Sequence, residues 1–347
     1  MEAKILNASL DENIIICADV IMSGGLVGVP TETVYGLGAN ALSGDAVAKI
    51  FATKGRHTDN PLIVHVASPA DVQIVVREIP DMFRILSNAF WPGPLTLIMK
   101  KSDVVPDEVT AGLDTVAVRM PEHPAMLSLI KKSGVPIAAP SANLSGKPSP
   151  TKAKHVFDDL FGKIPYVLDG GNCRVGVEST VVDISGDTAQ ILRPGGVTYE
   201  ELEKVLGVAP TIYNTALADS DAPRSPGMKY RHYSPKAPLT AILGSPKMSS
   251  DFILTHIDDC CNGFKCCGGV HKVAALMFDD FASANPAVVT FGESSDHNDQ
   301  ASRLFDALRQ LDSLDADIIL AQVPDEKGLG HAVANRILKA AASVQHV

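Results

Sequence analysis

The spacing of apolar positions divides the chain into alternating helical and extended segments. Asp11 to Met22 carries apolar side chains at helical intervals, and Gly24-Gly25 marks a stop. Leu26 to Val29 is a short continuous apolar run, the pattern of a buried strand. Pro30-Thr31-Glu32-Thr33-Val34-Tyr35-Gly36-Leu37-Gly38 follows as a polar, glycine-bearing loop just past that strand's end. Ser43 is placed to cap a helix over Asp45 to Thr53. Leu62 to Val66 reads as a strand, and two helical segments follow near Pro69 to Arg77 and Pro80 to Phe90. A rigid turn at Trp91-Pro92-Gly93-Pro94 leads into a strand from Leu95 to Met99. Val116 to Met120 is another strand, with Arg119 among apolar neighbours, followed by a helix from His123 to Lys132. Val135 to Ala139 is a strand that runs into the polar loop Pro140-Ser141-Ala142-Asn143-Leu144-Ser145-Gly146. Short strands recur at Tyr166 to Leu168, Thr180 to Ile184 and Gln190 to Leu192. Thr198-Tyr199-Glu200-Glu201 then has capping-box spacing and opens a helix.

From Val208 to Pro238 the periodicity fails. This stretch is rich in Pro, Ala, Ser and Asp and turns basic and aromatic at Lys229-Tyr230-Arg231-His232-Tyr233. It reads as a long linker, and a stretch of that length without regular structure tends to be functional. Beyond it, strands near Leu239 to Leu243, Val273 to Met277, Ala287 to Phe291 and Ile318 to Ala321 alternate with helices, the pattern of a small parallel α/β domain. The expected division is 1–207, a linker over 208–238, and 239–347.

Composition changes the picture in two ways. At 347 residues the chain exceeds a common single domain, and 46% hydrophobic with 20% charged residues suits a well-buried protein. A formal net charge of −10 argues against a surface that wraps nucleic acid, though not against a local basic cleft. The start of the chain has no basic region, and Asp19 interrupts the apolar Ile14-Ile15-Ile16, so neither a signal peptide nor a membrane span is read there. A cytoplasmic protein with its six cysteines reduced is expected.

Candidate chemistry gathers on the strand-end loops. Lys54 and Arg56 flank Gly55 at a helix end. Lysine supplies a point charge and arginine a flat fork of donors, a good pair for phosphate or carboxylate oxygens. The alternative is a solvated helix end beside the C-terminal dipole. His65 and Arg119 sit inside apolar strands. A buried Arg119 must pair with something, and a structural ion pair and a ligand stand equal on these grounds. Ser141 and Asn143 after one strand, and Thr31 and Thr33 after another, would complete an anion pocket at sheet ends, where α/β ligands gather. Gly36-Leu37-Gly38-Ala39-Asn40-Ala41 fits a dinucleotide fingerprint, but residues 30–35 separate it from the strand, and Asp59 sits in a basic turn. Gly146-Lys147-Pro148 lacks the earlier glycine and the hydroxyl of a P-loop. Cys260, Cys261, Cys266 and Cys267, with His256 and His271 nearby, look like metal ligands but lack paired C-x-x-C spacing, and no metal is assigned.

Together these motifs resemble the threonylcarbamoyl-AMP synthases, the YrdC-like family, in their long two-domain form. The matching pieces are Pro30 through Leu37, Lys54-Gly55-Arg56 with Asn60-Pro61-Leu62, Ser141-Ala142-Asn143 with Ser149-Pro150-Thr151, Glu178 through Asp183, Leu192 through Gly195, Ser225 through Tyr233, and Gly328-Leu329-Gly330 before Asn335-Arg336. His57 departs from the family, where many relatives carry proline after the arginine. The resemblance implies an α/β fold, a twisted open mixed sheet followed by a smaller Rossmann-like parallel domain, with the linker crossing the active site. It implies an enzyme, a nucleotidyltransferase, that joins L-threonine, bicarbonate and ATP into threonylcarbamoyl-adenylate and pyrophosphate. Thr33, His65, Arg119 and Ser179 would hold threonine. Lys54, Arg56, Asn60, Thr115, Ser141, Ser149, Arg193 and the linker's Tyr233 would hold ATP, with Lys54, Arg56, Ser141 and Asn143 as the catalytic set. Mg2+ is expected with ATP. The product would pass to a separate tRNA threonylcarbamoyl transferase. The alternatives are an RNA-binding or ribosome-assembly module using the basic cavity, disfavoured by the 5% aromatic content, and a carbamoyl-transfer domain.

Overall fold

The computed structural model of the protein describes residues 3–213, 223–226, 232–261 and 272–347, with 258–261 as backbone alone. Much of the linker therefore lies outside the described residues, as do Cys266, Cys267, His271 and the side chains of Cys260 and Cys261. The chain divides into two compact units, Met1–Ser145 with Ser149–Tyr230, and Gly146–Pro148 with Arg231–Val347.

In the first unit the strands are β1 (Lys4–Asn7), β2 (Val27–Val29), β3 (Gly36–Asn40), β4 (Ile63–His65), β5 (Leu95–Lys100), β6 (Thr115–Arg119), β7 (Ile137–Ala138), β8 (Tyr166–Asp169), β9 (Thr180–Asp183), β10 (Gln190–Arg193) and β11 (Thr211–Ile212). Among the described residues they form one mixed 11-stranded sheet in the order β1-β8-β2-β3-β7-β4-β6-β5-β9-β10-β11. The helices are α1 (Asp11–Met22), α2 (Gly44–Lys54), α3 (Val72–Val75), α4 (Asp81–Phe90), α5 (Asp107–Thr110), α6 (Pro124–Ser133), α7 (Ala153–Leu160) and α8 (Tyr199–Leu206).

Helix α1 buries Ile14, Cys17, Ala18 and Ile21, a helical stripe, in one core with Met126, Leu129 and Ile130 of α6. Helix α2 starts where Ser43 Oγ accepts from Ala46 N and ends at Gly55, whose φ of 63° is the left-handed conformation of a C-cap. Its buried stripe runs Val47, Ile50, Phe51 and then Lys54, so the helical period turns a lysine inward. Helix α8 carries the capping box read from Thr198 and Glu201.

Four expectations need correction. Gly36 to Asn40 is a strand, antiparallel to β2, and not a loop. Its glycines hid it: a Cβ on Gly36 would lie 3.1 Å from Ala139 Cβ, and one on Gly38 3.1 Å from Ile137 Cγ2, so close packing leaves no apolar side chain to read. The segment from Pro69 to Arg77 is a 3₁₀ turn, Pro69–Asp71, followed by the short α3. The linker region contributes β11, paired in parallel to β10. Strand β1 and helix α7 were not anticipated; β1 is an exposed edge with no alternation to reveal it.

The second unit has β12 (Leu239–Leu243), α9 (Pro246–Cys261), β13 (Val273–Met277), β14 (Val288–Thr290), α10 (His297–Asp312), β15 (Ile318–Gln322), α11 (Leu329–Ala340) and β16 (Ser343–His346). Among the described residues its sheet has five strands, ordered β14-β13-β15-β12-β16, and is parallel throughout, as expected for a small α/β domain. Strand β16 is an exposed edge and was missed for the same reason as β1.

Candidate active site

Strands β4 and β6 run parallel in a register that sets His65 beside Arg119. Both are buried. Arg119 donates from Nε to the Gly93 carbonyl at 3.1 Å and from Nη1 to Thr33 Oγ1 at 2.9 Å. Its Nη2 forms an ion pair with Glu32 Oε1 at 2.6 Å, each side chain about 4% exposed. Glu32 Oε2 accepts from Glu122 N. A guanidinium has five N–H groups; Nη2 is buried and meets Glu32 as an ion pair without a hydrogen bond among the described residues, and Nη1 keeps one N–H beyond its bond to Thr33.

The hydroxyls beside it have a fixed direction. Thr31 Oγ1 donates to the Val34 carbonyl at 2.6 Å, which uses its one hydrogen. In the 2.9 Å contact between Thr31 and Thr33 the donor must therefore be Thr33. Thr33 in turn accepts from Arg119, so what it can still offer is a lone pair. His65 behaves alike. Its Nδ1 faces the Ile137 carbonyl at 3.3 Å, and a carbonyl can only accept, so Nδ1 carries the hydrogen. Burial, and then the positive charge of Arg119, push its pKa down to about 3. The ring is neutral at pH 7, with Nε2 bare.

That shift has a consequence for stability. The folded state refuses a proton that the unfolded chain accepts below the ordinary 6.5, so stability contributed by neutral His65 is full above pH 6.5 and is lost as pH falls toward about 3. A slope of up to about 1.4 kcal/mol per pH unit is expected in that window. Urea midpoints at pH 7, 5.5 and 4.5 check it, and His65→Gln should flatten the dependence.

Ser179, just before β9, meets Thr96 of β5 at 2.8 Å between hydroxyls. Arg193, the last residue of β10, donates from Nη2 to Ser179 O at 2.9 Å and Ser179 Oγ at 3.1 Å, and from Nη1 to the Pro226 carbonyl at 3.3 Å. Arg224 pairs with buried Asp183. Ser149, fully buried, donates to Glu178 Oε1 at 2.6 Å.

The loop between β7 and α7 belongs to Lys54. The Lys54 ammonium donates to Ser141 O at 2.5 Å and to Asn143 O. Burial, and then Arg56, hold its pKa well below the usual lysine range, with Asp159 opposing. Asn143 Oδ1 lies 3.5 Å from the same nitrogen. Arg56 turns back on Asn60 O at 3.3 Å and Pro61 O at 3.1 Å. The Asn60 side chain is buried, and its Oδ1 accepts no hydrogen bond from the described residues. Ser141 is half-buried, its backbone bridged to Gly36. Thr115 opens β6, four strand steps or about 13 Å from Arg119. Tyr233 belongs to the second unit, where its ring lies 5.2 Å from that of Phe305 with the Arg336 guanidinium 5.7 Å away, and its φ is 65°.

The structure thus brings together Thr33, His65 and Arg119 as one group, Ser179 with Arg193 as a second, and Lys54, Ser141 and Asn143 as a third. Sequence reasoning missed Glu32, Thr96 and the pairing of Ser149 with Glu178. Glu32 had a signal, since it stands in a motif beside Thr33, but its partner is remote in the chain. His256 bonds the Phe252 carbonyl at 2.8 Å. Among the described residues no group of three His, Cys, Asp or Glu is arranged to hold a metal ion.

Buried cations at strand and helix ends of a mixed α/β sheet, with directed hydroxyls beside them, have the chemistry that suits an anionic or zwitterionic small molecule, of the kind α/β enzymes take up. Residues 19–195 match the Sua5/YciO/YrdC family profile, described as "Telomere recombination", and residues 197–342 match "Threonylcarbamoyl-AMP synthase, C-terminal domain". The threonylcarbamoyl-AMP synthase of Pyrococcus abyssi is 48% identical over 94% of this chain and 93% of its own length. That of Bacillus subtilis is 45% identical over 95% and 93%. The crystal structure of P. abyssi Sua5 complexed with L-threonine superimposes with a TM-score of 0.92 at 44% identity, covering 100% of both chains. The chain belongs to the threonylcarbamoyl-AMP synthase family, in its two-domain form, as its motifs implied.

Proposed function

We propose that the protein makes threonylcarbamoyl-adenylate and pyrophosphate from L-threonine, bicarbonate and ATP, as a nucleotidyltransferase. The observation that carries this is the group around Arg119. Glu32 offsets the guanidinium charge, so the pocket is neutral overall and matches a zwitterion. The remaining Nη1–H of Arg119 would meet the carboxylate, while the lone pairs of Thr33 Oγ1 and His65 Nε2 suit the hydrogens of the ammonium and hydroxyl. Ser179 completes the threonine set. The match to a relative solved with L-threonine supports the reading.

The amine forms a C–N bond to the carbon of bicarbonate with loss of water. An oxygen of the resulting carbamate attacks the α-phosphorus of ATP, and the bond to pyrophosphate breaks. No covalent enzyme intermediate is required, so orientation and charge stabilisation carry the catalysis. Arg56, Asn60, Thr115, Ser141, Ser149 and Arg193 would face ATP. Mg2+ would enter as the ATP chelate, held chiefly by the phosphates. The product would pass to a separate tRNA threonylcarbamoyl transferase. No described helix is long and apolar enough to cross a membrane, and we place the reaction in the cytoplasm.

Incubation with ATP, threonine and labelled bicarbonate should yield pyrophosphate and a labelled adenylate that both require threonine. Arg119→Met should raise the KM for threonine at least about 10-fold, the loss of a charge-assisted hydrogen bond. Pyrophosphate without threonine dependence, or RNA binding with no turnover, would overturn the assignment.

A further inference from the structure

We infer that Lys54 is a positioning residue for the Ser141–Ser145 loop, acting on the reaction through the Ser141 hydroxyl. This rests on the adenylate-forming function proposed above. Lys54 lies on the inward stripe of α2, in line with Val47, Ile50 and Phe51. It is 3% exposed. Its ammonium holds the carbonyls of Ser141 and Asn143, and its own carbonyl accepts from Ser145 N at 3.0 Å. One residue therefore fastens both ends and the middle of this loop.

The other side of the loop is pinned as well. Leu37 N donates to Pro140 O, and Ala142 N to Tyr35 O, both at 2.8 Å. Ala142 is fully buried, and the Asn143 amide donates to Leu144 O at 2.9 Å. Within Ser141-Ala142-Asn143, the Ser141 side chain is the one left half-exposed. A serine hydroxyl aimed at a phosphate must be held by its backbone, because its own rotor has little else to fix it. Lys54 supplies that hold. Two of the three N–H donors of the ammonium are committed to main-chain carbonyls, and the Asn143 side-chain oxygen lies 3.5 Å from the same nitrogen.

A double-mutant cycle in the full-length protein tests the assignment. Lys54→Met is expected to lower kcat about 100-fold while the Kd values for ATP and threonine change less than about threefold. Ser141→Ala is expected to lower kcat by a similar factor, and the double variant to be no more than about threefold worse than either single one. If Lys54 contacts phosphate directly, the two losses multiply and ATP affinity falls at least tenfold in Lys54→Met; that result overturns the inference. Should Lys54→Met not fold, Lys54→Gln, which keeps two N–H donors without charge, takes its place. Retained ATP affinity with at least a tenth of the wild-type kcat supports the clamp, and ATP affinity weakened tenfold or more overturns it. Amide exchange at Ala142 and Ser145 is read alongside. Faster exchange in Lys54→Met supports the clamp even if the wild type forms no adenylate, which would reject the proposed function alone; unchanged exchange rejects the clamp.

Discussion

Replacing Glu32 with alanine is expected to remove about 3–5 kcal/mol of stability from the first unit, because Arg119 would keep its charge in a buried site without a counter-ion. Both side chains are nearly inaccessible, and among the described residues the 2.6 Å ion pair is the one anionic contact of Arg119. The guanidinium would retain neutral acceptors, Gly93 O and Thr33 Oγ1, which do not neutralise it. Urea unfolding of Glu32→Ala checks the magnitude, and a loss below about 1 kcal/mol would show that Arg119 is solvated by other means. The double variant Glu32→Ala, Arg119→Met should lose less than the sum of the two single changes, since removing both charges removes the desolvation problem along with the attraction. Threonine binding should weaken in the single variant as well, because the guanidinium loses the contact that sets its orientation.

Gly195→Ala is expected to cost at least about 1–3 kcal/mol, and to lower kcat/KM for threonine tenfold or more. A Cβ at this position would stand 2.3 Å from Glu178 O, 2.4 Å from Ser179 C and 2.4 Å from Thr180 N. These are backbone atoms, and no rotamer change relieves the overlap. The turn after β10 would have to lift away from the residues leading into β9, carrying Ser179 out of reach of Arg193 and Thr96. Gly186→Ala is the control, since nothing lies within 4 Å of the added carbon there. Denaturation midpoints and steady-state kinetics of the two variants provide the comparison, and equal behaviour would dissociate the Arg193-Pro194-Gly195 turn from the threonine pocket.

The strand and helix order of the catalytic half was largely legible because apolar periodicity reports burial. Helices α1, α2, α4 and α6 carry their stripes openly, and strands β2, β4, β5 and β6 are short apolar runs bounded by turn residues. The same logic explains the failures. Strand β3 packs so closely that glycine replaces the side chains that would announce it, while β1 and β16 are exposed edges with no buried face to pattern. Lys54 is the instructive case within the site. Its place on the inward stripe of α2 was readable from Val47, Ile50 and Phe51, but the carbonyls of Ser141 and Asn143 that it meets lie 87 and 89 positions away.

What the amino-acid sequence determined by itself was the alternation of strands and helices, the two-part α/β organisation, the family, and the presence of hydroxyls and cations near strand ends. Each is a local property: the spacing of apolar residues, the chemistry of a turn, or the order of short motifs. The tertiary structure decided which of those polar groups face one another. Arg119 could have been a ligand group or half of an ion pair; the fold brings Glu32 to it across 87 positions and still leaves part of the guanidinium uncommitted. The tautomer of His65 and the donor direction of Thr33 likewise follow from carbonyls at Ile137 and Val34 that accept and cannot donate. Burial makes such partners obligatory, but which partner meets the obligation depends on strand register, and register between remote segments is written into the sheet and not into any single stretch of chain.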